Sequence, residues 1–224
     1  SDQWKSYQLT NILSPVYPST DNFGEDVDIS ADGNTVIVSD NYIDDGKVYV
    51  FSTPDSWNTI NSNATLIPGD SGLFDNYGTD ISISGDGDTI IVGDYKDSSF
   101  VGAAYIYRNS GSWADATETL KLSAYDGLGY RQFGFNVDIS ADGNTVLIGQ
   151  NQYGYTSTGG QKYGAAHIFK TSDDWQTADF TNLITNTFDY VNGTNEFGYK
   201  VALSADASTA IIGAYSYFNT TNQG

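Results

Sequence analysis

The chain has 224 residues, with 28 acidic side chains against 9 basic ones, a net charge of −19, and neither Cys nor Met. That balance argues against nucleic acid and anionic membranes as partners, because neutralising phosphate takes clustered Lys and Arg. The absence of Cys excludes disulfides and thiol chemistry. No apolar run approaches the roughly 18 residues of a membrane span, so no membrane insertion is expected. The length suits one sizeable core and reads as a single repeat domain over 1–224.

In chain order, residues 1–22 are expected to hold a leading outer strand, Trp4–Thr10, and a connection. Four similar units follow, each opening on an aromatic–glycine pair: Phe23-Gly24, Tyr77-Gly78, Phe133-Gly134 and Phe197-Gly198. They divide the chain into repeats at about 23–76, 77–132, 133–196 and 197–224. The first strand of each unit alternates, with Val27 and Ile29 matched by Ile81 and Ile83, Val137 and Ile139, and Val201 and Leu203, as a two-faced strand should. A tight hairpin follows at Asp32-Gly33-Asn34 and its counterparts, whose residues tolerate positive φ.

The second strand is continuously apolar, so both of its faces should be covered. Val36, Ile37, Ile91, Val92, Leu147, Ile148, Ile211 and Ile212 are therefore expected to be buried. A third strand starts after Gly46, Gly102 and Gly164, and a fourth begins near Trp57, Trp113 and Trp175. The spacing between repeats grows along the chain, and the growth falls in only two connections. These are the stretches 39–46, 93–102 and 149–164, and the stretches 57–77, 113–133 and 175–197.

Self-similar units of four antiparallel strands with no helical periodicity predict an all-β fold, a β-propeller of four-stranded blades. A β-solenoid is the alternative, but its repeats are shorter and lack a hairpin in every turn. The last unit holds only two inner strands before Gly224, so with the leading outer strand the chain carries 15 strands where four blades need 16. Residues beyond 224, or a strand from a neighbouring molecule, are expected to fill that slot, and the second option would give a homo-oligomer or polymer.

The order Phe-Gly-x-x-Val, an Asp-Gly turn, an apolar strand ending near glycine, then Gly-x-Val-Tyr-Val-Phe resembles the FG-GAP repeat of integrin α-subunit propellers and their microbial relatives. The likeness covers residues 23–224, although Ser39-Asp40, Gly93-Asp94, Gly149-Gln150 and Gly213-Ala214 depart from the Gly-Ala-Pro end. The resemblance implies an extracellular or cell-surface adhesion module, and propellers of this type commonly have seven blades. It also implies a calcium loop between the first two strands, which needs several oxygen ligands. Only Asp28, Ser30, Asp32 and Asn34, and their counterparts from Asp138 to Asn144, stand there. A plain hairpin is favoured and no cofactor is expected. Asp40, Asp44 and Asp45 form a weaker candidate for calcium.

Catalysis finds little support in the residues. The single histidine, His167, aligns with Tyr49 and Tyr105 in the third strand and reads as a packed strand position. Arg108 and Arg131 are too few for a propeller sialidase, and no carboxylate pair stands out among the acids. The chain is thus expected not to be an enzyme. The alternative is a secreted polysaccharide hydrolase or lyase using acidic residues in a central funnel.

The two variable connections should leave from one end of the blades, where recognition usually resides. Candidate ligand-binding residues on that face are Tyr42, Asp44, Asp45, Tyr95, Asp97, Tyr153, Tyr155, Tyr215 and Tyr217, for a protein or glycan partner. Sequons at Asn63, Asn192 and Asn219 are the candidate glycosylation sites, in keeping with an extracellular setting.

Overall fold

The structure is a computed structural model that describes residues 11–14, 22–41, 46–53, 57, 61–70, 76–124, 131–154, 163–185 and 196–215. The leading strand expected at Trp4–Thr10 and the slot after Tyr215 lie outside these residues. Blade 1 is β1 (Val27–Ile29), β2 (Thr35–Asp40), β3 (Lys47–Ser52) and β4 (Asn61–Leu66). Blade 2 is β5 (Ile81–Ile83), β6 (Thr89–Asp94), β7 (Ala103–Arg108) and β8 (Glu118–Leu122). Blade 3 is β9 (Phe133–Ile139), β10 (Thr145–Gln150), β11 (Ala165–Lys170) and β12 (Asp179–Thr185), and blade 4 contributes β13 (Glu196–Leu203) and β14 (Ala210–Tyr215). Each blade is an antiparallel meander in sequence order, and the first strands β1, β5, β9 and β13 lie side by side in succession. This is the expected all-β propeller arrangement.

The hairpin between first and second strands is built the same way in every blade. Ser30 Oγ donates to Asp32 Oδ1 at 2.7 Å and accepts from Thr35 N, while Asn34 N donates to Asp32 Oδ1 at 2.9 Å. Ser84 with Asp86, Ser140 with Asp142, and Ser204 with Asp206 repeat the pattern. These donors stabilise the ionised form and hold the Asp32 and Asp142 carboxyls below the usual range and Asp206 at about 2. The repeated tryptophan belongs to the same device. Trp57 Nε1 donates to Gly33 O at 2.9 Å and Trp175 Nε1 to Gly143 O at 2.8 Å, so in blades 1 and 3 the indole ties the start of the fourth strand to the hairpin tip, whereas the buried Trp113 Nε1 of blade 2 makes no such bond.

Blades pack face to face. Ile37, Val48, Val50 and Leu66 of blade 1 meet Tyr77, Ile81, Ile83, Ile90 and Val92 of blade 2. Ile91, Ala104, Ile106 and Leu122 of blade 2 meet Phe133, Val137, Ile139, Val146 and Ile148 of blade 3. In a second strand, alternate residues therefore face opposite neighbours, which is why the whole strand is apolar. The opening glycines make this contact possible. A Cβ on Gly102 would stand 2.0 Å from Phe133 O and one on Gly164 would stand 1.9 Å from Phe197 O, so neighbouring backbones touch where a side chain would separate them.

Burial of the second strand departs from expectation at the ends. Ile37, Ile91, Val92, Leu147 and Ile148 are buried, but Val36 and Ile212 are only half-buried and Ile211 is 69 % exposed. Val36 lies on the side of blade 1 that no earlier blade covers, against Phe23, Leu13 and Trp57. Ile211 lies on the side of blade 4 that no later blade covers.

Candidate functional site

Two groups of residues stand out, one along the inner strands and one at the variable end of the blades. The first strands read Asp26-Val-Asp28, Asp80-Ile-Ser82, Asn136-Val-Asp138 and Lys200-Val-Ala202, and the acids and the amide among the residues between the apolar positions reach toward the following blade. Asp26 Oδ2 accepts from Ile81 N at 2.8 Å, Asp28 Oδ2 from Ile83 N at 2.9 Å, Asp80 Oδ2 from Val137 N at 2.8 Å and Asp138 Oδ2 from Leu203 N at 2.6 Å, while Asn136 Oδ1 accepts from Val201 N.

The remaining carboxylate oxygens are also engaged. Asp26 Oδ1 accepts from Val27 N, Asp28 Oδ1 from Ile29 N and Asp138 Oδ1 from Ile139 N, each within a single residue. Lys200 Nζ donates to Asp80 Oδ1 at 3.1 Å across the intervening blade. Ser82 Oγ lies 3.0 Å from Asp28 Oδ2 and 3.2 Å from Asp138 Oδ1, and its one proton serves one of them at a time.

Burial pushes the Asp80 carboxyl up to about 6 and raises Asp26 and Asp138, against the lowering by the N–H donors. Asp28 is thus part of a stitch between blades, while the Asp32 carboxylate closes its own hairpin. Among the described residues no cluster of three or more His, Asp or Glu side chains is arranged to hold a metal.

The second group is a row of aromatic rings. Tyr95 follows β6, Phe135 and Tyr199 lie in the first half of β9 and β13, and Tyr215 ends β14, so all four stand toward the end of the blades where the variable connections leave. Ring centroids are 5.3 Å apart for Tyr95 and Phe135, 5.0 Å for Phe135 and Tyr199, and 4.6 Å for Tyr199 and Tyr215. Phe100 joins Tyr95 at 6.2 Å, and Lys96 Nζ sits 5.5 Å from the Tyr95 ring centroid. The rings are half-buried to exposed, and the row crosses three blades. Farther out, the Arg131 guanidinium lies over the Tyr153 ring at 4.9 Å.

Of the residues expected on the binding face, Tyr95 and Tyr215 belong to this row, and half-buried Tyr153 is nearby in the chain's third variable connection. Asp97 does not present itself to a ligand. It is buried, with Lys121 Nζ at 2.9 Å and the Tyr105 hydroxyl at 3.2 Å, in a cluster that also holds Asp70. Its place in the loop sequence suggested exposure, but the Lys121 ammonium draws it inward. Tyr42, Asp44, Asp45, Tyr155, Tyr217, Asn192 and Asn219 lie outside the described residues, and Asn63 lies in β4.

Phe135 and Tyr199 were missed by sequence reasoning, although both stand directly after an opening Phe-Gly pair. His167 is packed as expected, with Nε2 2.7 Å from Gln150 Oε1 and its ring edge-on to Phe133. None of the helices among the described residues is long and apolar enough to cross a membrane.

A search of curated proteins finds no match. Two solved propeller-type structures are similar in fold. One is hydrazine synthase of Kuenenia stuttgartiensis, with TM-score 0.53, 12 % identity, and 90 % of this chain against 45 % of that one. The other is a periplasmic gluconolactonase of Pseudomonas aeruginosa, with TM-score 0.55, 14 % identity, and 84 % of this chain against 49 % of that one. The chain thus spans about half the length of either, and at these identities the likeness is one of fold alone. The family model of the FG-GAP repeat matches three times, at residues 9–51, 60–107 and 116–169. The protein belongs to the FG-GAP repeat family.

Proposed function

We propose that the chain is a non-enzymatic extracellular recognition module, for adhesion or scaffolding, that takes a protein or glycan ligand on the face bearing the variable connections. The observation that supports this most is the row Tyr95, Phe135, Tyr199 and Tyr215, which sets contacting rings across three blades on a rigid frame. Rings give large contact area at low entropy cost, and a row held by neighbouring rings is already ordered before a ligand arrives. The acidity and the sequons at Asn63, Asn192 and Asn219 fit an extracellular setting.

The enzymatic alternative would use Asp26, Asp28, Asp80 and Asp138 of the inner strands. Both oxygens of each already accept hydrogen bonds from the protein, which suits joining blades better than proton transfer to a substrate. A glycan array and a cell-surface protein panel, read beside an assay for release of reducing ends, test the proposal. Binding that is lost in Phe135→Ala and Tyr199→Ala, with no sugar released, is expected. Turnover that survives both substitutions and is abolished by Asp80→Asn would overturn it.

A further inference from the structure

Among the described residues, the connection from β6 to β7 in blade 2 holds the longest left-handed run. Ser98, Ser99 and Phe100 have φ of 51°, 61° and 70°, a conformation that Cβ sterics disfavour, in three consecutive residues without a glycine. Phe100 N donates to Lys96 O at 3.0 Å and Gly102 N to Asp97 O at 3.0 Å, while Phe100 O accepts from Arg131 N at 2.8 Å and Gln132 N at 3.0 Å. Asp94 Oδ1 accepts from Lys96 N and Asp97 N at the start of the turn. These bonds hold a conformation that the backbone resists, yet the ring it carries stays out of the core. Phe100 is 39 % exposed and stands against Tyr95 at the blade 2 end of the ring row. Strain maintained for an exposed ring marks a functional surface.

Beside these rings lies a cation that this acidic chain leaves without an acid. Lys96 Nζ sits 5.5 Å from the Tyr95 ring centroid and, among the described residues, pairs with no carboxylate, whereas Lys121, Lys200 and Arg108 each pair with an aspartate. Acids outnumber bases by 28 to 9 in the chain, so the unpaired ammonium does not reflect a shortage of partners. Asp97, next to it in sequence, turns inward to Lys121 and the Tyr105 hydroxyl. Phe100, Tyr95 and Phe135 therefore form a short apolar surface with a hydrogen-bond donor at its edge.

Several ligand classes match this surface poorly. A basic segment would need carboxylates here, and Asp94 and Asp97 are buried and bonded within the protein. A polyanion would meet one ammonium and the repulsion of a net charge of −19. A peptide added as a strand would need an open ladder, but along the inner edges of blades 2 and 3 the N–H groups of Ile81, Ile83, Val137 and Ile139 already donate to aspartates. A neutral saccharide meets each condition. The C–H face of a sugar ring is weakly positive and lies well on the negative face of an aromatic ring, and its hydroxyls both donate and accept.

We infer that the ligand of this face is a neutral saccharide, with a sugar ring seated on Phe100 and Tyr95 and a hydroxyl accepting from the Lys96 ammonium. The inference rests on the reading of the face as a recognition surface, and it makes the strained turn the part that sets specificity.

An array of neutral, uronate-bearing and sulfated oligosaccharides, printed beside a peptide set and probed with the 224-residue chain, tests this. Retention on neutral oligosaccharides is expected, unchanged in about 1 M NaCl because no ion pair is involved. Phe100→Gly removes the ring and suits the left-handed backbone, so it should weaken binding about tenfold or more while the melting temperature holds or rises. Lys96→Gln keeps a donor without the charge and should retain most of the affinity, whereas Lys96→Leu should lose most of it. Retention of a peptide or an acidic oligosaccharide that Phe135→Ala abolishes would overturn the saccharide and leave the recognition surface standing. Retention of nothing, or binding indifferent to both Phe135→Ala and Phe100→Gly, would overturn the two together. A melting temperature lowered by Phe100→Gly would show that the ring serves the fold, which also overturns the inference.

Discussion

The second strands of blades 3 and 4 are close in sequence, Val146-Leu147-Ile148-Gly149 against Ala210-Ile211-Ile212-Gly213, yet their surroundings differ in kind. Leu147 is fully buried between β9 and β11 in its sheet and β13 of the next blade, while Ile211 is mostly exposed. The contrast teaches that a run of apolar residues records the neighbours a strand is built to meet, whether or not they stand among the described residues. Substitution at matched positions of the two strands can break this comparison or sharpen it.

The largest difference is expected for truncation of the apolar side chains. Leu147→Ala should cost about 2–5 kcal/mol in chemical denaturation, because it removes buried contacts and leaves a cavity. Ile211→Ala in the single chain should cost less than about 0.5 kcal/mol. Equal losses at the two positions would mean that Ile211 is covered in solution.

The glycines give a second matched pair. A Cβ at Gly149 would stand 2.1 Å from Gly198 O, a backbone atom, whereas at Gly213 the nearest such atom is Lys200 O at 3.5 Å. Gly149→Ala should therefore lower stability by roughly 2 kcal/mol or more as blades 3 and 4 are pushed apart. Gly213→Ala should be neutral or slightly stabilising through the unfolded chain. Thermal melts of the two variants compare them directly.

The smallest effect concerns charge at the joints. The Asp80 carboxyl is pushed up to about 6 by burial, from an ordinary value of 3.8. The folded state then binds a proton more readily than the unfolded chain does between these values. The stability gained by protonation is fully present below pH 3.8 and lost as pH rises through about 6. Asp26 and Asp138 are raised in the same direction, while Asp32, Asp142 and Asp206 in the hairpins are lowered and act in the opposite sense. Asp80→Asn keeps an acceptor for Val137 N, as Asn136 does for Val201 N. It should flatten the melting temperature between pH 4 and 6 and change stability at pH 7 by about 1 kcal/mol. An unchanged pH profile would show that Asp80 is hydrated and titrates normally.

Much of the frame was legible because each strand states its period locally. Alternation marked β1, β5, β9 and β13, continuous apolar runs marked β2, β6, β10 and β14, and Asp-Gly turns marked the hairpins between them. Exposure of Ile211 was not legible, since it depends on what stands beside the blade. The inner-strand carboxylates were written in the aligned repeats as Asp26, Asp80 and Asn136, but their role depends on the approach of the next backbone, which local sequence does not encode. For the same reason the reach of Asp28 to Ile83 N could not be foreseen, and Asp97 read as an exposed loop acid until Lys121 appeared beside it. The ring row was partly visible in Tyr95 and Tyr215. Its middle members, Phe135 and Tyr199, sit on strands and were passed over in a search confined to loops.

The glycine joints also govern how freely the face bearing the variable connections can change. At that end, blades meet backbone to backbone, at Gly46 with Tyr77, Gly102 with Phe133 and Gly164 with Phe197, with no side chain between them to act as a spacer. The pitch from one blade to the next is thus fixed by main-chain atoms that every repeat has in common. Loops rooted just outside these joints can lengthen from blade to blade, as they do along this chain, without altering the curvature of the array. The end of the propeller with the most variable sequence is mechanically among its least adjustable parts, and new surface chemistry can be added there while the anchor points stay where they were.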